Sequence, residues 1–132
     1  MRLLVDTHAF LWWCDDDRRL EAAERRALAD ASNEVYLSAA SVWEMKIKEA
    51  LGCLRVPEPV SAAALRLGFE PLSINFQHAE ETSRLPHLHR DPFDRMLIAQ
   101  ARVESLTLLT HDPSIRSYPG LSLLPPWGAP QV

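Results

Sequence analysis

The stretch DRMLIAQARVESLTLLTHD, residues 94–112, predicts a helix, a buried strand and a carboxylate just beyond that strand. Residues 94–105 place apolar side chains at helical spacing, on the same side of the helix as Asp94. The run LTLLT, residues 106–110, has the length and apolar character of a strand that is covered on both faces. A helix that leads into a buried strand is the repeating unit of an α/β fold with a parallel sheet.

The same alternation continues toward both ends of the chain. The predicted strands are 2–5, 35–38, 70–74, 106–110 and 121–124. The predicted helices are 8–14, 18–31, 39–51, 60–67, 76–85, 94–105 and 113–118. Apolar strands that alternate with helices favour a central, mostly parallel sheet with helices on both faces. We expect one domain over residues 1–125 and an irregular C-terminal tail over 126–132.

Length and composition are those of one soluble globular domain. The chain has 132 residues, of which 47% are hydrophobic and 24% are charged, enough apolar material for one core. Cys14 and Cys53 have no cysteine partner at metal-ligand spacing, which argues against a disulfide framework or a zinc cluster. No run reaches the roughly 18 apolar residues of a membrane helix, and no export signal is recognisable around Asp6. We therefore expect a cytoplasmic protein that does not associate with a membrane.

Two aspartates follow predicted strands. Asp6 comes directly after the strand over residues 2–5, and Asp112 lies two residues beyond the strand over 106–110. In open parallel sheets, ligands bind beyond the carboxyl ends of the strands. Both side chains should therefore lie at the same edge of the sheet.

Two further acids lie near the starts of predicted helices. Ala40, Glu44, Ile47 and Leu51 share one helical stripe, which we expect to face the core. Asp94 has the same relation to the apolar stripe of its own helix. The sequence therefore predicts that both helices turn a carboxylate toward the interior.

Four converging carboxylates require a compensating cation, because buried like charges repel each other. An all-oxygen ligand set favours Mg²⁺ or Mn²⁺ over zinc. Such a site suits hydrolysis of a phosphodiester by water, without a protein nucleophile. The net charge of −4 is unusual for a nucleic-acid-binding protein, but without these four ligands the remaining 14 acids would balance the 14 bases.

Each acid also has a simpler interpretation. Asp6 fits an Asx-turn at a strand end, and Asp112 fits an ordinary turn or helix start. Asp94 fits the third position of a helix that Asp91 caps, which does not exclude metal binding by Asp94. Glu44 is a solvent-exposed helix acid if the helical phase is displaced by one residue. The joint pattern, and not any single acid, indicates the site.

The sequence resembles the PIN-domain family, and within it the VapC-type toxins of bacterial type II toxin–antitoxin systems. The resemblance spans residues 3 to about 124. It is carried by four motifs in matching order and spacing: LVDTH at 4–8, SAASVWE at 38–44, DPFDRMLIAQA at 91–101 and TLLTHD at 107–112.

This resemblance implies a three-layer α/β/α fold and a Mg²⁺- or Mn²⁺-dependent endoribonuclease that a cognate VapB-type antitoxin inhibits. It carries the acidic residues of the family onto Asp6, Glu44, Asp94 and Asp112. It also carries small hydroxyl residues, which orient ligands or water, onto Thr7, Ser41 and Thr110. We further expect an RNA substrate and a homodimer.

Basic residues and histidines near these motifs are weaker candidates. Arg90, Arg95 and Lys46 are candidates for holding the RNA backbone. His87 and His89 form an H-x-H pattern, but with no third histidine or cysteine nearby a surface loop is the favoured interpretation.

Two other interpretations stay open. One is a catalytically silent binding module with the same fold. The other is a different α/β phosphoryl-transfer domain, but a receiver-like site needs a late lysine, and no lysine follows Lys48. A phosphatase of the Asp-x-Asp type needs an acid at position 8, which is His8.

Overall fold

The computed structural model describes residues 1–56 and 58–126. Its strands are β1 (Arg2–Val5), β2 (Glu34–Ser38), β3 (Glu70–Leu72), β4 (Thr107–Leu109) and β5 (Ser122–Leu124). Its α-helices are α1 (Thr7–Cys14), α2 (Ala22–Ala29), α3 (Ala39–Ala50), α4 (Val60–Arg66), α5 (Phe76–Glu81), α6 (Pro92–Glu104) and α7 (Pro113–Arg116). A 3₁₀ turn over Thr82–Arg84 follows α5.

All strand pairs of the sheet are parallel, in the order β3-β2-β1-β4-β5. The central strand β1 pairs with β2 on one side and with β4 on the other, so that Leu4 lies opposite both Tyr36 and Leu108. The prediction of a central, mostly parallel sheet is confirmed. This order brings the carboxyl ends of β1 and β4 together, although about a hundred residues separate them in the chain.

Helices cover both faces of the sheet, which gives the three-layer α/β/α architecture. Leu3 and Val5 face one apolar core, to which α1, α2 and α4 contribute, and Leu4 faces the other core, beneath α6 and α7. All three side chains are fully buried. Adjacent residues of a strand point to opposite faces, so a strand between two cores is apolar at every position.

The starts of α2 and α6 show how helix caps set the ends of helices. The prediction of a helix from residue 18 was wrong, because α2 starts at Ala22 with a capping box between Glu21 and Glu24. The Glu21 backbone N–H donates to the Glu24 carboxylate at 3.3 Å. Helix α6 starts at Pro92, two residues before the periodic pattern over 94–105, and the prediction that Asp91 caps it is confirmed.

The predicted stripe on α3 was only half right. Ala40 and Glu44 are buried, but Ile47 is 38% exposed and Leu51 is 72% exposed. Met45 is fully buried instead, so the buried face lies one residue further along the helix than the apolar pattern indicated. Helix α3 ends as expected, since Gly52 follows it with φ +75°, a conformation that glycine adopts without strain.

Within residues 1–56 and 58–126, the structure has no helix that is long and apolar enough to cross a membrane. Apart from Pro126, the tail that we expected over 126–132 lies outside the described residues.

Candidate metal centre

Asp6 and Asp112 are the N-caps of α1 and α7, at the carboxyl ends of β1 and β4. The Asp6 carboxylate accepts a hydrogen bond from the backbone N–H of Ala9 at 2.7 Å. The Asp112 carboxylate accepts one from the backbone N–H of Ser114 at 2.8 Å. The turn and helix-start interpretations of these acids are therefore right about the local structure. Each cap still leaves carboxylate oxygen available to a ligand, because a carboxylate accepts up to about four hydrogen bonds.

Thr110 links these two aspartates. Its hydroxyl donates to Asp6 Oδ2 and accepts a hydrogen bond from the Asp112 backbone N–H at 3.0 Å. Thr110 is fully buried and directly follows β4. One side chain therefore fixes the separation between the ends of two neighbouring strands.

Glu44 is the carboxylate that α3 contributes. It lies in the second turn of the helix and is buried. Its Oε1 accepts a hydrogen bond from the Thr7 hydroxyl at 2.7 Å, and its Oε2 lies 3.1 Å from Lys48 Nζ, one helical turn further along. Because Thr7 directly follows Asp6 in the chain, this bond holds Glu44 close to Asp6.

Asp94 combines the two interpretations that the sequence offered. Asp91 caps α6, since its Oδ1 accepts hydrogen bonds from the backbone N–H groups of Phe93 at 2.8 Å and Asp94 at 3.1 Å. The Asp94 carboxylate is not part of that cap and lies 2.8 Å from His89 Nε2. Asp91 therefore starts the helix, and Asp94 is left to face the other acids.

The four acids line one cleft of about 180 Å³, and the helix cap Asp91 lines it as well. Burial raises the pKa of Asp6, against the hydrogen bonds from Thr110 and Ala9, and the charge of Asp112 raises it further. Burial also raises the pKa of Asp94 to about 6; the bond to His89 opposes this, and the charges of Asp91, Asp112 and Glu44, in decreasing order, add to it. The acids therefore act on one another electrostatically, as a cluster that shares one cation does.

The donor set fits a hard divalent cation. Carboxylate oxygens are the ligands that Mg²⁺ and Mn²⁺ prefer. The Ser41 hydroxyl is fully buried and has no hydrogen-bond partner among the described residues, which is uncommon for a buried polar atom. Ser41 lies one helical turn before Glu44 on the buried side of α3, so an unpartnered hydroxyl stands next to the carboxylate that α3 contributes.

His89 and Lys48 are site residues that sequence reasoning missed. Both line the cleft, and each lies beside one of the acids. The spacing of Lys48 four residues after Glu44 was a usable signal, because such pairs meet on a helix. The H-x-H pattern singled out His89, but it was assigned to a surface loop because no third histidine or cysteine stands nearby in the sequence.

Arg95, which the sequence offered as a candidate for holding the RNA backbone, is bound by other parts of the protein. Its guanidinium donates to the carbonyl oxygens of Thr82 at 2.8 Å and Pro86 at 2.9 Å, and to the Tyr118 hydroxyl at 3.0 Å. These contacts hold the loop that precedes α6. Arg90 and Lys46 are exposed, and Lys46 pairs with Glu49 at 2.8 Å.

A parallel α/β/α sheet with clustered acids at one edge defines a class of α/β domains suited to divalent-cation binding. Within that class the chain belongs to the PIN-domain family, whose model matches residues 3–121. A curated relative is ribonuclease VapC16 from Mycobacterium tuberculosis, which is 39% identical over 51% of this chain and 57% of that protein. The chain thus matches little more than half the length of this relative.

Solved structures share the fold at low sequence identity. The structure of VapBC2 from Rickettsia felis, bound to a DNA fragment from its promoter, has a TM-score of 0.70 at 14% identity and covers 93% of this chain and 97% of its own. A toxin–antitoxin complex from Klebsiella pneumoniae has a TM-score of 0.64 at 20% identity and covers 96% and 98%. These likenesses confirm the α/β/α fold that the resemblance implied.

Proposed function

We propose that this protein is an endoribonuclease that depends on Mg²⁺ or Mn²⁺ and is the toxin of a VapBC-type pair. The observation that carries the proposal is the convergence of Asp6, Glu44, Asp94 and Asp112 in one cleft, with the pKa of Asp94 raised to about 6. A bound cation offsets such repulsion, and acids with perturbed pKa values in a cleft are typical of functional sites.

The acids would hold the cation, and the hydroxyl groups would hold the acids. When bound, the ion supplies positive charge for the scissile phosphate and acidity for the attacking water. Thr110 and Thr7 fix the directions of Asp6 and Glu44, and Ser41 orients water beside Glu44. In the cation-free protein, Lys48 offsets part of the charge of Glu44.

RNA is the substrate that we propose, because the curated relative is named a ribonuclease. Arg90 and Lys46 are exposed and remain our candidates for phosphate contacts. Arg95 does not, since its guanidinium is engaged by the loop before α6.

A VapB-type antitoxin and a second copy of the chain are the proposed partners. The solved structures of this fold include several toxin–antitoxin complexes, which supports an antitoxin for this chain as well. We propose a two-fold homodimer, the most common symmetry of small soluble assemblies. RNA as substrate and an antitoxin as inhibitor place the proposed activity in the cytoplasm.

Chelation tests the proposal directly. Cleavage of structured RNA should stop in EDTA and return with millimolar Mg²⁺ or Mn²⁺, whereas Zn²⁺ should restore it poorly. The readout is the mapped RNA ends, with Asp94→Asn as the matched inactive protein. Robust cleavage in excess chelator would overturn the metal dependence. Absence of cleavage with every cation would favour a silent binding module instead.

A further inference from the structure

His89 lies where a ligand of the cation would lie. One donor atom each of His89, Asp94 and Asp112 can be chosen so that all three lie within 4.8 Å of one another. Within this group, His89 Nε2 lies 2.8 Å from Asp94 Oδ2. Both side chains are mostly buried, with 24% and 16% of their surfaces exposed.

The spacing of these atoms matches the geometry of a coordination shell. Neighbouring ligands of an octahedral cation, each about 2.1 Å from the ion, lie about 3 Å apart, and opposite ligands about 4.2 Å apart. The distance from His89 to Asp94 equals a neighbouring pair to within a few tenths of an ångström. All three atoms lie within 4.8 Å of one another, close to the separation of two opposite ligands.

The loop that carries His89 is anchored, so the imidazole is held in place before any ion binds. The Arg95 guanidinium donates to the carbonyl oxygens of Thr82 and Pro86, and Tyr118 Oη lies 3.4 Å from the His89 carbonyl oxygen. Arg95 is the residue directly after Asp94, so the same turn of α6 fixes both partners. Ligands that are fixed in advance bind a metal with less loss of conformational entropy.

We propose that His89 Nε2 is a further ligand of the bound cation and that this nitrogen favours Mn²⁺ over Mg²⁺ at the site. This inference rests on the proposed function, because it concerns the same cleft. Magnesium binds almost only oxygen, whereas imidazole suits first-row transition metals. Replacing one oxygen by a neutral imidazole therefore weakens Mg²⁺ binding more than Mn²⁺ binding. The coordinating tautomer carries its proton on Nδ1.

Pulsed electron paramagnetic resonance of the Mn²⁺-loaded protein tests the proposal without any cleavage assay. A directly bound imidazole couples its ¹⁴N nucleus to the Mn²⁺ electron spin. We expect this nitrogen coupling in the wild type and in His87→Gln, and its loss in His89→Gln. His87 is the matched control, because it lies two residues away in the same loop and is exposed.

A titration of free Mn²⁺ provides the second readout. His89→Gln should weaken Mn²⁺ binding by at least about tenfold and should change Mg²⁺ binding, measured by competition, by less than about threefold. His87→Gln should change neither affinity. Circular dichroism of each variant checks the fold, and the nitrogen coupling of the wild type is informative even where a variant does not fold.

The outcomes separate this inference from the proposed function. Tight Mn²⁺ binding without nitrogen coupling overturns the role of His89 and leaves the carboxylate site intact. Equal losses of Mg²⁺ and Mn²⁺ affinity in His89→Gln overturn the preference for Mn²⁺. A wild type that binds neither ion at millimolar concentration overturns both proposals.

Discussion

The two halves of the carboxylate cluster are stabilised in different ways. Asp6 and Asp112, at the ends of β1 and β4, accept hydrogen bonds from the backbone N–H groups of the helices that they cap. Glu44 and Asp94, on helices α3 and α6, lie beside basic side chains, Lys48 and His89. The first pair is therefore built into the backbone, and the second is held by groups that rotate.

This difference indicates how a strongly charged cleft tolerates the absence of a cation. Backbone N–H groups stabilise a carboxylate permanently and do not compete with an ion for its position. The Lys48 ammonium offsets charge in the empty cleft and can move when the ion arrives, whereas the His89 imidazole stays beside Asp94 as the further ligand that we propose. The strand-end pair thus provides a rigid frame, and the helix-borne pair provides adaptable ligands.

The largest expected effect is the loss of RNA cleavage on neutralising an acid of the cluster, and it should be the same for both pairs. Asp6→Asn, Glu44→Gln and Asp94→Asn should each lower RNA cleavage by at least about a thousandfold, or about 4 kcal/mol of transition-state stabilisation. Any two combined should cost little more than one, because the acids serve one site. Asparagine caps helices about as well as aspartate, so Asp6→Asn should stay folded. Glu49→Gln, an acid of the same helix α3 that pairs with Lys46, is the control. Near-wild-type turnover in any of the three variants removes that residue from the site.

Thr110→Val removes the link between Asp6 and Asp112 without removing a charge. The variant loses the hydroxyl that joins Asp6 to the Asp112 backbone N–H. We expect a loss of cleavage of about 10–100-fold, as for other residues that orient metal ligands. Urea unfolding should show a loss of about 1 kcal/mol, because the partly buried Asp112 N–H and the Asp6 carboxylate each lose a hydrogen bond. Unchanged activity would show that the distance between the strand ends does not matter.

The pH dependence of stability tests Asp94, one of the two acids that lie on helices. Burial raises the pKa of Asp94 from 3.8 to about 6, so the folded protein holds a proton there that the unfolded chain has released. In EDTA, this group should therefore make the protein less stable as the pH rises from about 4 to about 6. The full shift corresponds to roughly 3 kcal/mol. Asp94 is partly exposed to solvent, which reduces this destabilisation. A neutral variant also loses a favourable charge at the start of α6. The net difference in the free energy of unfolding between variant and wild type is therefore about 1–2 kcal/mol.

Asp94→Asn should remove that slope and be more stable than the wild type above pH 6 in EDTA. Millimolar Mg²⁺ should reverse the order, because the wild type gains binding energy that the variant largely lacks. Melting curves of both proteins in both buffers give the comparison. If Asp94→Asn is the less stable protein in EDTA and gains as much from Mg²⁺, Asp94 serves the helix and not the ion.

The smallest effect concerns the acid that caps α6. Asp91→Ala should destabilise the protein by about 1 kcal/mol through the lost hydrogen bonds to Phe93 and Asp94. Cleavage by the folded fraction should stay within a few-fold of the wild type. Thermal unfolding and a cleavage assay at a temperature where the protein is fully folded test both statements. Abolished cleavage in a folded Asp91→Ala protein would assign Asp91 to the site.

The sheet was predictable from the sequence because buried parallel strands are short apolar runs of distinctive length. β1 was predicted with its observed bounds, Arg2–Val5. The start of α2 was not, because a capping box between Glu21 and Glu24 decides it. Local hydrogen bonds at helix starts are decided by single side chains, which periodicity does not show.

The strand-end acids were predictable from topology, since any residue after a parallel strand lies at the same edge. Glu44 was reached through a stripe whose later members, Ile47 and Leu51, are exposed. The contact of His89 depends on the fixed path of its loop, which Arg95 determines by binding backbone carbonyl groups. Such a contact exists only in the folded protein, and no short sequence pattern encodes it.

The hydrogen bond between Thr110 and Asp6 spans 104 residues, and this separation matters during synthesis. A ribosome that adds about 5–20 residues per second needs roughly 5–20 s to extend the chain from Asp6 to Asp112. Throughout that interval β1 has no β4 beside it, and the carboxylates of the cleft are not all present. The cleft therefore cannot assemble before Asp112 has been synthesised, and the RNA cleavage that we propose cannot begin earlier.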